Sequence, residues 1–193
     1  MMRSWMGLCC LVSLLSGCAG GTGTLGSSAL EAIGLRKPPP LPEAQQPPRN
    51  VVVHLHAASR LNVDRSGQPL ALLVRIYKLR ERAAFDQAPY AAFLSAQAER
   101  DALGADLVEV KELTLVPGQK LDINDKLARD TLWLGVVALF HAPAAHGWRV
   151  AFAAADAERA GVTVGLHACA LTVGTGAAPA GDSVKPLSLV HCQ

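Results

Sequence analysis

A β-sandwich carrying one main helical insertion is predicted for this chain, and three observations predict it. Apolar and polar residues alternate in short runs, as where Leu72, Val74 and Ile76 oppose Arg75 and Tyr77; period-two alternation marks a strand with two unlike faces. Turn-forming pairs such as Ser66-Gly67 and Pro117-Gly118 punctuate these runs at short intervals, as in all-β domains. Only one zone, residues 80–104, has helical spacing. The 193 residues suit one domain with appendages, and a 50% hydrophobic share is enough apolar material for a core.

The chain opens on a leader. Arg3 gives it a positive start and residues 6–15 a short apolar segment. Leu15-Ser16-Gly17-Cys18 follows. Small residues ahead of a cysteine resemble a bacterial lipobox, in which Cys18 becomes the first mature residue and carries the lipid; an ordinary signal peptide with an incidental cysteine is the alternative. Each buried CH₂ of an acyl chain contributes roughly 0.8 kcal/mol, so dual acylation anchors stably. Residue 19 is Ala, not the Asp associated with inner-membrane retention, which favours the outer membrane, facing the periplasm. The expected organisation is a signal peptide (1–17), a lipidated tether (18–49) and a β-sandwich domain (50–193).

Charge and cysteine usage narrow the classes further. The formal charge of +2 falls to about +1 once Arg3 is removed, and no run of Lys and Arg exceeds two residues. Nucleic acid is therefore excluded as a partner. No apolar stretch reaches the roughly 18–20 residues of a membrane-spanning helix. Of five cysteines, Cys9 and Cys10 leave with the leader and Cys18 is acylated. The remaining pair, Cys169 and Cys192, indicates one disulfide in an oxidising compartment, with two free thiols as the alternative. Closing that loop stabilises the fold by about 3 kcal/mol if unstrained.

Residues 19–49 read as a tether rich in Gly, Ser and Ala, with a short helix at 28–35 and a Pro-rich end. Such sequence favours extended polyproline II and builds no core. Gly21-Thr22-Gly23-Thr24-Leu25-Gly26 matches the dinucleotide fingerprint, but the strand that must precede it is missing. It is linker composition. The first strand covers residues 51–56 and the second 70–79, the latter half-buried. Between them lies a polar loop, Arg60 to Pro69, longer than the two to five residues of a tight hairpin. Such a loop either idles at the surface or meets a partner.

In the helical zone Asp86 or its successors offer a cap, Pro89 suits the first turn and Gly104 the end. Tyr90, Phe93, Leu94 and Ala98 form one apolar stripe there, a packing face against a sheet. Strands follow at residues 108–116 and 119–123, joined by Pro117-Gly118. Residues 131–141 (TLWLGVVALFH) are nearly all apolar, as in a central strand buried on both faces. Residues 148–152 alternate, and residues 162–173 form the last strong strand, carrying Cys169. The count is seven or eight strands.

Chemical motifs are scarce. The sequence lacks G-x-S-x-G, H-E-x-x-H, C-x-x-C and the P-loop, which weighs against an envelope-remodelling hydrolase. His54 and His56 share one strand face, but a catalytic zinc site needs a third protein ligand that spacing does not fix. No catalytic residue, metal site or cofactor is expected. A periplasmic small-ligand or metal-binding lipoprotein remains the alternative reading.

An ordered series of residues resembles the TssJ family, the lipoprotein of type VI secretion systems. It runs Asn62, Gly67, Pro69 and Val74-Arg75-Ile76-Tyr77 with Leu79, then Phe85, Tyr90 and Leu103-Gly104-Ala105-Asp106-Leu107. Pro117-Gly118, Leu134-Gly135-Val136-Val137-Ala138 and Trp148-Arg149 complete it. The resemblance implies a transthyretin-like sandwich without catalytic activity, tethered to the outer membrane. It implies a role in holding the periplasmic C-terminal region of the inner-membrane protein TssM, in a complex that also contains TssL. It places the contact on the first inter-strand loop: Arg60, Leu61, Asn62, Val63, Asp64, Arg65, Ser66, Gly67, Gln68 and Pro69. There Arg60, Asp64 and Arg65 would steer docking and Leu61 and Val63 serve as apolar anchors. The long tether and the tail from Gly174 depart from the family pattern.

Overall fold

The computed structural model describes residues 41–181 together with Val184, Val190 and Cys192. The leader, Cys18, the glycine motif, the short helix at 28–35 and most of the tail lie outside the described residues. One compact unit spans Pro42–Gln193. Its strands are β1 (Arg49–Ala57), β2 (Leu72–Leu79), β3 (Leu107–Leu115), β4 (Lys120–Leu127), β5 (Trp133–Leu139), β6 (Arg149–Ala153), β7 (Val162–Leu166) and β8 (Leu171–Val173). They build two four-stranded sheets, ordered β4-β1-β7-β8 and β3-β2-β5-β6. The protein is mainly β, as its alternation predicts.

All pairs are antiparallel except β1 with β7. That exception follows from the route of the chain. A parallel pair cannot be closed by a hairpin, and β7 is reached through a helix, α3 (Ala154–Ala160), which packs on β1, β5 and β6. Sequence reading missed α3, although its run of Ala, Asp and Glu ending at Gly161 (φ +67°) carries helix and stop signals.

The core lies between the sheets, where Val51, Val53 and Leu55 of β1 meet Leu72, Val74 and Ile76 of β2. The second sheet is also covered on its outer face. Tyr77 there packs with Phe85 and Phe93, ring centroids 5.5 and 5.7 Å away. So β2 is buried on both faces rather than half-buried, and β5 is the doubly buried central strand its composition predicts.

The covering layer is not one helix. It comprises α1 (Ala83–Gln87), a 3₁₀ turn (Tyr90–Leu94) and α2 (Ala96–Leu103). Pro89 and Ser95 are both extended (ψ 157° and 127°) and break it; Ser95 instead caps α2 by accepting the Ala98 N–H. The expected stripe is therefore split: Phe93 is buried, while Leu94 is 61% exposed. Asp86 lies within α1 rather than capping it, and Gly104 ends α2 with φ +53°. Arg75 fastens α2 to the sheet through the buried Glu99 (2.6 Å) and the Phe93 carbonyl (2.8 Å).

The last expected strand is in fact the β7–β8 hairpin. Its turn, His167 to Ala170, closes with a 2.9 Å bond from the His167 N–H to the Ala170 carbonyl. Cys169 thus sits in a turn, not a strand. At the opposite end, the buried Arg49 anchors the start of β1. It pairs with Glu43 and Glu158 and donates to the Arg129 and Thr131 carbonyls.

Candidate partner-binding end

Strand direction gathers four connections at one end of the sandwich. Ala57 registers with Leu166, Leu72 with Leu115 and Leu73 with Leu139. The β1–β2 loop (58–71), the β3–β4 turn (116–119), the β5–β6 loop (140–148) and the β7–β8 turn (167–170) are therefore neighbours. The Gly118 N–H reaches the Ala58 carbonyl at 3.1 Å. The Leu171 N–H reaches the Gly147 carbonyl at 2.6 Å.

The β1–β2 loop has a fixed base and an open tip. Leu61 is fully buried in the main core, so it cannot serve as an apolar anchor for a partner; that expectation is corrected. Asn62 is 5% exposed and left-handed (φ 45°), a conformation Asn tolerates better than bulkier residues. Its Nδ2 donates to the Ala71 carbonyl (2.7 Å), and its Oδ1 accepts the His141 N–H (2.7 Å). Its own N–H donates to the His167 carbonyl at 3.0 Å, and the Val63 N–H donates to the Ala168 carbonyl at 3.1 Å. Leu70 then closes the base on the Leu61 carbonyl at 3.1 Å. Asn62 is thus a support, and Val63 is half-buried.

Above this base, Asp64 organises the tip. Its Oδ1 accepts from the Ser66 hydroxyl (2.6 Å), the Ser66 N–H (2.8 Å) and the Gln68 N–H (2.9 Å). Its backbone bonds to Gln68 and Gly67 at 3.0 Å. The Ser66 hydroxyl and the Gln68 amide hold the Asp64 carboxyl below its ordinary range, because they solvate its charged form. Gly67 has φ +79°, where a Cβ would strain the backbone. Arg60, Arg65, Ser66, Gly67, Gln68 and Pro69 are exposed. Arg60 and Arg65 outnumber the ionised Asp64, so the tip carries a net positive charge.

Sequence reasoning did not find the supports, His141, His167 and Ala168. They act through backbone groups, and nothing local in the sequence marks them. Cys169 in the same turn is bonded to Cys192, with Cα atoms 5.6 Å apart.

The other candidates do not converge. The His54 Nδ1 lies 2.7 Å from Asp122 Oδ1 on an open sheet face, and His56 is exposed beside it. Among the described residues no three His, Cys, Asp or Glu side chains could hold a metal. A cleft of about 720 Å³ runs between α1 and the β5–β6 loop, lined by Tyr90, Trp148 and Arg149. Two of its polar groups are already engaged. Tyr90 donates to the Phe140 carbonyl (2.6 Å), and Arg149 donates to the Phe85, Asp86 and Ala88 carbonyls that end α1. No described helix is long and apolar enough to cross a membrane.

Comparison with known proteins bears on the same region. Residues 49–169 match the family described as type VI secretion lipoprotein, VasD, EvfM, TssJ. The crystal structure of the type VI secretion lipoprotein TssJ1 from Pseudomonas aeruginosa is 34% identical, with a TM-score of 0.61, covering 69% of this chain and 100% of that one. A chain in the structure of the TssM C-terminal domain from EAEC is 25% identical, with a TM-score of 0.58, covering 65% and 98%. Lip from Serratia marcescens, a membrane-bound component of the type VI secretion system, shares the fold at 18% identity and a TM-score of 0.58, covering 66% and 98%. No curated protein matches. The matched residues include β1 to β7 and the whole β1–β2 loop, and the family is structural rather than enzymatic. The chain belongs to the TssJ family of type VI secretion lipoproteins.

Proposed function

We propose that this lipoprotein is the outer-membrane subunit of the type VI secretion membrane complex. Lipidated on Cys18, it faces the periplasm and holds the periplasmic C-terminal region of TssM, in a complex that also contains TssL. The observation that carries this reading is the β1–β2 loop. Its base is buried and bonded into the fold, while Asp64 pre-organises an exposed, positive tip. A tip ordered before contact loses little freedom on docking. Exposed arginines suit electrostatic steering toward an acidic surface. Arg60, Arg65, Ser66, Gln68 and Pro69 are the contact residues, and Leu61, Asn62 and Asp64 keep them in place. Support also comes from the likeness to a chain in the TssM C-terminal domain structure and to one in the type VI membrane complex, each 25% identical.

The test is binding of the full chain, in detergent, to the TssM C-terminal region of the same organism. A variant in which residues 65–69 become a Gly/Ser linker leaves the base intact and should lose binding while keeping its melting temperature. Undiminished binding by that variant would move the interface off the loop. A failure of the unaltered chain to bind would remove TssM as the partner.

A further inference from the structure

The β7–β8 turn stands behind the partner-binding loop, and it carries the disulfide. Its His167 and Ala168 carbonyls hold the Asn62 and Val63 N–H groups at 3.0 and 3.1 Å, where the tip leaves the base. The next residue, Cys169, accepts the Ala144 N–H of the β5–β6 loop at 3.0 Å and is bonded through sulfur to Cys192. One turn thus supports two loops of the docking end.

Besides the covalent bond to Cys192, the turn is held by its own His167 N–H to Ala170 carbonyl bond (2.9 Å), the His167 ring against the Thr172 hydroxyl (3.0 Å) and the Leu171 N–H on the Gly147 carbonyl (2.6 Å). It contains neither Gly nor Pro. Cys169 and Ala170 are buried in a small cluster with Ala144 and Val190, apart from the main core. The clamp also reaches outside the shared family region, which stops at residue 169, to a cysteine at position 192.

We propose that the Cys169–Cys192 disulfide is a positioning device for the partner-binding loop. Closed, it holds the β7–β8 turn where its carbonyls fix Asn62 and Val63. Opened, it frees the loop and leaves the two sheets folded. The inference rests on the TssM-docking reading above. Opening is exchange with a dithiol reductant: one reductant thiolate attacks a sulfur of the pair, the S–S bond breaks and a mixed disulfide forms. The second reductant thiol resolves it, so the reductant leaves as a disulfide. The protein gains two thiols, two electrons and two protons.

The experiment compares the full chain in detergent with Cys192→Ser and with Cys169→Ser/Cys192→Ser, using amide hydrogen exchange and affinity for the TssM C-terminal region. In both variants the amides of Asn62, Val63 and Ala144 should exchange about tenfold faster while those of β2 and β5 keep their protection. Affinity should fall by about tenfold. A dithiol should reproduce both effects on the unaltered chain, and re-oxidation should reverse them. Unchanged exchange at those three amides overturns the proposal. So does a uniform rise across both sheets, which would make the bond a general stabiliser. If the unaltered chain fails to bind TssM, the docking reading falls, and the exchange pattern still decides the clamp.

Discussion

Side chains of the one β1–β2 loop differ sharply in burial, and substitution separates their roles. Leu61 is fully buried among core residues, so Leu61→Ala should destabilise the fold by about 2–5 kcal/mol through the cavity it leaves. Arg65 is exposed, so Arg65→Ala should leave stability within about 0.5 kcal/mol and weaken TssM binding. Thermal melting and titration calorimetry together check the pair; a melting loss from the Arg65 variant would contradict this division. Asp64 adds a pH dependence. Its folded pKa lies below the ordinary 3.8, so its ordering of the tip is complete above that value and lost as pH falls through the lower folded one. Amide resonances of Ser66 and Gln68 should therefore titrate with a midpoint below 3.8, the ordinary carboxyl value. A midpoint at or above it would mean that the carboxylate is not held by those groups in solution.

Between elements, the contact that seats the helical layer is the ring of Phe85 over Gly135. A Cβ on Gly135 would lie 2.8 Å from that ring, and the ring cannot swing away because Tyr77 and Phe93 pack against it at 5.5 and 5.7 Å. Gly135→Ala should cost about 1–3 kcal/mol, and much less in a Phe85→Ala background. A double-mutant cycle by denaturant unfolding reads that coupling, and strict additivity would refute the contact. Gly135 also shows what the sequence reveals and conceals. Alternation and turn residues made the strands legible, because burial on a sheet repeats every second residue. The all-apolar run of β5 was legible for the same reason: both of its faces are covered. The single long helix was misread because Pro89 fits a first turn, although its extended backbone ends one segment and begins another. The loop was legible as a loop, but the burial of Leu61 was not. Leu61 is buried in a core that residues from several strands build together, and no signal local to the loop announces it.

The unit Pro42–Gln193 has two poles. β1 begins at the buried Arg49 and runs nine residues before the loop leaves it, a span of about 30 Å. The chain therefore enters this unit at the pole remote from the β1–β2 loop. Residues 18–41, which precede that unit, would reach on the order of 70 Å if fully extended as polyproline II. Anchoring and docking are then separable. Cys18→Ser should release the chain from membranes while preserving its affinity for the TssM C-terminal region. The measurement is membrane flotation in cells that lack TssM, where the partner cannot itself retain the chain, paired with binding of the purified variant. Flotation of Cys18→Ser with the membranes of those cells would place the anchor elsewhere in the leader. Loss of binding in the same variant would mean that the two poles are coupled. An Ala19→Asp variant tests the expected outer-membrane sorting: it should move the chain to the inner-membrane fraction without changing its affinity, because residue 19 lies outside the unit Pro42–Gln193.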